Sequence, residues 1–205
     1  MIEIETRQLA GIPVLHAFPT NKHDLSLPCV IVYHGFTSSS LVYSYFAVAL
    51  AQAGFRVIMP DAPDHGTRFH GNAQERMHRF WQILQQNMQE FTALRAALVA
   101  ENWLLDERLA VAGASMGGMT TLGIMARHPE VKCAACLMGS GYFTRLAHTL
   151  FPPVLVQTTE QQAEFDAIVA PLADWEVTHQ LERLAERPLL LWHGQDDDVV
   201  PAVET

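Results

Sequence analysis

The chain has 205 residues, 49% of them hydrophobic and 17% charged. That fits one globular domain burying roughly 70% of its unfolded surface, and it excludes disorder as the main description. Thirteen Lys and Arg stand against 22 Asp and Glu, a net charge of −9, so the surface repels phosphate backbones and anionic membranes, and neither nucleic acid nor a membrane is an expected partner.

The start, Met1-Ile-Glu-Ile-Glu5, lacks the positive-then-apolar pattern of a signal peptide, so the expected setting is soluble and cytoplasmic. Ile2 to Phe18 alternates in part around Ala10-Gly11, predicting an antiparallel hairpin. Cys29-Val-Ile-Val-Tyr33 is a β-branched run that stops at His34-Gly35, as a central strand does. Ser38 to Ser40 offer N-caps to an apolar helix that runs to Gln52 and stops at Gly54. Phe55 to Met59 is the next strand, followed by a loop rich in Asp, Pro, His and Gly. Asn72 and Glu75 form a capping-box pair that opens one long amphipathic helix, with Met77, Phe80, Trp81, Leu84, Met88, Phe91, Leu94 and Leu98 in its apolar stripe. Leu109 to Ala112 reads as strand, Met116 to Arg127 as helix, Val131 to Met138 as strand, and Pro188 to Trp192 as the last strand.

Strands alternating with helices predict an α/β architecture, a mainly parallel sheet flanked by helices in a single domain over 1–205. Between Tyr142 and Arg187 the alternation stops, and 142–187 reads as a helical cap over one end of the sheet. Two uncharged stretches, Leu25 to Phe55 and Leu109 to Ala126, are long enough to span a membrane. Glycines and hydroxyl residues interrupt both, and Pro28 and His34 interrupt the first, so each reads as a buried strand running into a buried helix. Cys133 and Cys136 match C-x-x-C spacing, but no second pair answers them, and with Cys29 they read as packing residues. No cluster calls for a metal or an organic cofactor.

Gly113-Ala-Ser115-Met-Gly117 is G-x-S-x-G at a strand-to-helix junction, where a nucleophile elbow must lie. A sharp turn there lifts the Ser115 hydroxyl clear of the sheet, the two glycines admit close backbone, and the helix N-terminus aims free N–H groups at a developing oxyanion. His34-Gly35-Phe36 ends the neighbouring central strand, so the Phe36 amide is the candidate second oxyanion donor beside that of Met116. His34 itself invites a catalytic reading but reads rather as a structural residue that hydrogen-bonds the loop, and it is also a candidate for the substrate pocket. His193-Gly-Gln-Asp196-Asp197-Asp198 follows the last strand and lacks calcium-loop spacing. A carboxylate that orients a catalytic histidine is the better reading. Phe143, Phe151 and Trp175 in the cap fit an apolar substrate pocket, or equally the cap's own small core.

Three separated segments, His34 to Phe36, Gly113 to Gly118 and His193 to Pro201, resemble the α/β-hydrolase fold family, in the branch that holds dienelactone hydrolases and small bacterial esterases. The resemblance extends through Leu104 to Gly113 and Asp61 to Gly66 and covers essentially the whole chain. It implies Ser115 as nucleophile, Phe36 and Met116 as oxyanion-hole residues, and Asp197 rather than Asp196 or Asp198 as the acid. The implied activity is a carboxylesterase acting on short-chain, small-molecule esters through an acyl-enzyme. A thioesterase, a peptidase or a non-catalytic binding protein of the same fold are the alternatives. The oligomeric state is not readable. The family order is Ser, acid, His, yet no histidine follows Asp197, and the further strand and closing helix that the resemblance implies are absent too. The expectation is therefore a C-terminally truncated chain with weak or no activity. His65, His70 and His179 are the candidate substitute bases.

Overall fold

The computed structural model describes residues 1–204; Thr205, the last residue of the expected domain, lies outside the described residues. Ala10 and Gly11 both stand at positive φ, 52° and 76°, as a two-residue hairpin turn requires. They fold β1 (Ile2–Leu9) onto β2 (Ile12–Pro19) in antiparallel register. β2 pairs antiparallel with β4 (Arg56–Pro60), and from there the sheet is parallel through β3 (Leu27–Tyr33), β5 (Leu104–Ala114), β6 (Cys133–Leu137) and β7 (Leu189–Trp192). The order across the sheet is β1-β2-β4-β3-β5-β6-β7.

The period of two along β3 assigns its side chains to two cores. Cys29, Ile31 and Tyr33 join the larger one, under α3 (Phe80–Ala100) and α4 (Met116–Arg127). Val30 and Val32 join the smaller one, under α1 (Ser44–Gln52). A central strand buried on both faces reads as the continuous apolar run seen in the sequence. The expected class, a mainly parallel sheet flanked by helices, is the observed one.

Three details differ from the sequence reading. The serines at 38–40 do not cap α1, which starts at Ser44 with Tyr43 as a cap that makes no side-chain bond; the Ser40 N–H is instead committed to Asp61. The long helix is two helices, α2 (Ala73–His78), whose Asn72 cap accepts the Glu75 N–H as expected, and α3, parted at Arg79 (φ −100°, ψ 9°). β5 begins at Leu104, with Asp106 and Glu107 at positive φ where its register against β3 shifts.

Between β6 and β7 run α5 (Phe143–Leu146), α6 (Thr159–Val169), two short 3₁₀ turns and α7 (Leu181–Ala185), with no strand among the described residues. β7 is the sheet edge, and Leu190, Leu191 and Trp192 are 59%, 48% and 55% exposed on it. An apolar edge left this open invites pairing or docking. Among the described residues no helix is long and apolar enough to cross a membrane.

Candidate active site

β5 runs into α4 through Ser115, whose φ of 56° and ψ of −121° lie outside the ordinary regions for a residue with a side chain. The surrounding backbone enforces this turn. Ser115 N–H donates to Leu137 O at 2.8 Å. A Cβ on Gly113 would stand 2.8 Å from Tyr33 O and closer still to the Gly117 carbonyl; one on Gly117 would stand 2.6 Å from Tyr33 C and 2.9 Å from His34 O. The first turn of α4 therefore packs directly on the end of β3, and only glycine fits at the two contacts.

Tyr33 pairs with Gly113 in the parallel register, so the chain leaving β3 rises beside Ser115. A Cβ on Gly35 would lie 3.5 Å from Ser115 Cβ, 3.5 Å from Ala114 O and 2.8 Å from the Tyr43 hydroxyl. The Phe36 amide is thereby carried into the neighbourhood of the elbow. Among the described residues neither the Phe36 nor the Met116 N–H donates to a loop or turn carbonyl, and Met116 opens α4, where amides have no intrahelical acceptor. The Phe36 ring lies 5.0 Å from Phe80 and 5.3 Å from Phe151, which are themselves 5.1 Å apart. Phe151 holds a positive φ of 45° in this aromatic wall.

Behind this loop lies Asp61, 4% exposed. Its Oδ1 accepts the Ser40 N–H, and its Oδ2 accepts both the N–H and the hydroxyl of Thr67. Burial pulls its carboxyl pKa up, but these hydrogen bonds outweigh burial and leave it below the usual carboxylate value.

His34 and His65 are both buried. His34 Nδ1 donates to Gly35 O (2.8 Å) and Nε2 accepts the Ala62 N–H (3.0 Å). His65 Nδ1 donates to Pro63 O (2.8 Å) and Nε2 accepts the Thr37 N–H (2.9 Å). Burial lowers the pKa of both, that of His65 to about 4. With each lone pair committed to a backbone amide, neither ring is available as a base for Ser115, and His34 is a loop residue rather than a pocket wall. His70 is exposed in the loop beyond Asp64, and His179 is exposed on the turn Val177–His179. Among the described residues none of these imidazoles hydrogen-bonds the Ser115 side chain, and the ring nitrogens of His34 and His65 are bound to other partners.

After β7, Asp196 and Asp198 face solvent and Asp197 is half-buried. Asp197 Oδ1 accepts the N–H groups of Val199 and Val200, at 3.0 and 2.9 Å. Its Oδ2 lies 3.3 Å from His193 Nε2, which donates to Val200 O at 2.6 Å. Sequence reasoning overlooked this His193 partner, although its i, i+4 spacing from Asp197 was there to be read.

Of the expected pocket residues, Phe151 alone among the three aromatics joins the Phe36 wall. Phe143 is fully buried against Gly123 in the middle of α4. Trp175 packs under the Arg127 guanidinium, 4.6 Å from its ring centre, at the C-terminal end of α4. A helix of this length holds the two ends about 16–18 Å apart, so Trp175 belongs to the larger core at that end of α4 and not to the Ser115 crevice.

Cys29 and Cys136 are buried free thiols, raised by burial to about 12, and Cys133 is half-buried. Glu5, His16 and His23 bring ligand-type atoms within 4.8 Å of one another. The Arg56 Nη1 donates to His16 Nε2 at 2.5 Å, so His16 Nδ1 carries the proton that it gives Glu5 at 2.9 Å. A cation at Nδ1 would have to displace that proton beside two guanidinium groups, those of Arg56 and of Arg7, 3.6 Å from Glu5. The donor set, in which His16 is buried and Glu5 is exposed, fits a hydrogen-bonded network with the two guanidinium groups better than a metal site.

The sequence pattern of a family described as Hydrolase_4, serine aminopeptidase, S33, matches residues 27–165, a span that contains Phe36 and Ser115 and stops short of Asp197. Over all 205 residues the chain is 72% identical to "Esterase YjfP" of Escherichia coli (strain K12) and spans 82% of that protein. Among solved structures, TT1662 from Thermus thermophilus matches with a TM-score of 0.71 at 22% identity, over 100% of this chain and 79% of that one. An acylaminoacyl peptidase from Pyrococcus horikoshii matches with a TM-score of 0.70 at 16% identity, over 99% of this chain and 34% of that one. At these identities the two structures speak for the fold alone.

Proposed function

We propose, from the premise that this chain belongs to the Hydrolase_4 (serine aminopeptidase) family of the α/β-hydrolase fold, that it is a serine esterase acting on small carboxylic esters. The observation that carries the reading is the Ser115 turn, at φ 56° and ψ −121° between β5 and α4, with the loop of Gly35 and Phe36 set against it. Ser115 Oγ attacks the acyl carbon, and the negative charge that develops on the carbonyl oxygen is met by the N–H groups of Met116 and Phe36. The alcohol departs with the proton taken from Ser115, leaving an acyl-enzyme that water then cleaves to the acid. The aromatic wall of Phe36, Phe80 and Phe151 is a suitable surface for a short acyl or alcohol group. The name of the 72%-identical relative supports an ester over an amide substrate. The absence of a membrane-spanning helix among the described residues is compatible with a cytoplasmic enzyme.

Proton transfer needs a base, and Asp197 is the carboxylate assigned to orient it. No imidazole among the described residues partners Ser115, and removing the histidine from a Ser-His-Asp triad lowers kcat by about 10⁶. The assay is made on the protein as its gene encodes it. That protein should hydrolyse a short p-nitrophenyl ester and take up a fluorophosphonate, and Ser115→Ala should abolish both. Activity unchanged in Ser115→Ala would remove Ser115 from the chemistry. Absence of both hydrolysis and labelling would leave a binding protein of the same fold. Faster turnover of an aminoacyl anilide than of the ester would favour a peptidase.

A further inference from the structure

Two imidazoles tie together the loop after β3 and the loop after β4, and the ties run in opposite directions. His34, in the first loop, accepts the Ala62 N–H from the second; His65, in the second, accepts the Thr37 N–H from the first. The rings lie 5.3 Å apart, and neither is more than 1% exposed. The remaining nitrogen of each donates to a nearby backbone carbonyl, Gly35 O for His34 and Pro63 O for His65. This fixes both rings as the neutral form with hydrogen on Nδ1.

The residue enclosed by these ties is Phe36. The Gly35 carbonyl and the Phe36 N–H belong to one planar trans peptide, so they point in opposite directions. A donor that anchors Gly35 O on the protein side aims the Phe36 N–H the other way. It also polarises that amide into a stronger donor. The Ser38 N–H reaches the same carbonyl at 3.2 Å. The following peptide is held by the His65 tie to Thr37, whose φ of 62° is unfavourable for a β-branched residue and must be held from outside.

We infer that His34 and His65 are positioning residues for the reaction, a reciprocal clasp that aims the Phe36 N–H at the oxyanion of the transition state. The inference rests on the esterase reading above. It gives two buried histidines a task that involves no proton transfer to or from substrate.

The test uses the protein as its gene encodes it, with kcat and KM for a p-nitrophenyl ester and the inhibition constant of a trifluoromethyl ketone, whose hemiketal adduct with Ser115 Oγ places an oxyanion in the hole. His34→Leu removes the donor to Gly35 O and should lower kcat by about 10²–10³, the cost of an oxyanion donor, while KM stays within about threefold. The ketone should weaken in proportion to kcat. His34→Asn, whose amide nitrogen takes the place of Nδ1, should recover most of kcat; His34→Gln, which reaches the place of Nε2, should not. At position 65 the order reverses, with His65→Gln retaining the acceptor for Thr37 and His65→Asn losing it. If the leucine variants fail to fold, the Asn and Gln pairs decide the matter. Equal kcat within each pair, or a ketone constant unmoved in His34→Leu, overturns the clasp. A wild type that hydrolyses no ester and labels with no fluorophosphonate overturns the esterase reading itself, and the clasp with it.

Discussion

Gly117→Ala tests the geometry on which the site depends. The new Cβ would stand 2.6 Å from Tyr33 C and 2.9 Å from His34 O, and both are backbone atoms of β3 and its loop. Carbon atoms rest at about 3.5 Å or more, so α4 must withdraw from β3 by about 1 Å at its first turn. Overpacking of this kind costs about 1–3 kcal/mol, and at this chain length each kcal/mol lowers Tm by about 2–4 °C. The predicted fall in Tm is thus between about 2 and 12 °C. The same withdrawal carries the Met116 N–H away from the oxyanion, and the loss of one such donor lowers kcat by about 10²–10³. Differential scanning calorimetry and ester kinetics on the same preparation measure the two effects. Gly11→Ala is the control: its Cβ meets nothing within 4 Å, but its φ of 76° is strained for alanine, so Tm should fall and kcat should hold. A Gly117→Ala protein with wild-type Tm and kcat within threefold would refute the close approach of α4 to β3 and the role assigned to it.

Asp61 contributes to stability above its unfolded pKa of about 3.9, and because its folded pKa is lower, that contribution is lost as pH falls below about 4; Asp61→Asn should be less stable at pH 7 and lose less on acidification, as urea titrations at several pH values will read. The lowered values of His16 and His65, both about 4, act over a different window. The unfolded state takes up their protons from about pH 6.5 downwards, so wild-type Tm should already decline between pH 6.5 and 4. Arg56 is buried, donates to the carbonyls of Lys22, His23 and Leu25, and lies 4.3 Å over the Trp103 ring; Arg56→Leu leaves those acceptors unpaired and should cost about 3–5 kcal/mol in urea denaturation. Cys29 and Cys136, held near 12, should resist iodoacetamide at pH 8 in the native state, and Cys133 should be modified first by mass spectrometry.

The sequence was most informative where one physical constraint dominates. The apolar run of β3 and the stripe along α3 follow from burial, and Gly113-x-Ser115-x-Gly117 follows from backbone crowding that admits no side chain. Where several local options compete, tertiary contacts decided. Ser38 to Ser40 look like helix caps, but Asp61, 21 residues from Ser40, takes the Ser40 N–H and the helix starts later. The histidines in the loop after β4 read from sequence as possible bases, and only the partners of both ring nitrogens exclude His65 from that role. Trp175 and Phe151 were indistinguishable as cap aromatics, because composition does not say which end of α4 each would meet.

The central claim is that chemistry begins at Ser115. Incubating the protein as its gene encodes it with a fluorophosphonate, followed by digestion and peptide mapping, tests that claim most directly. The account predicts a single adduct on the peptide containing Ser115, absent from Ser115→Ala along with ester hydrolysis. An adduct on another residue, or hydrolysis that survives in Ser115→Ala, would contradict it.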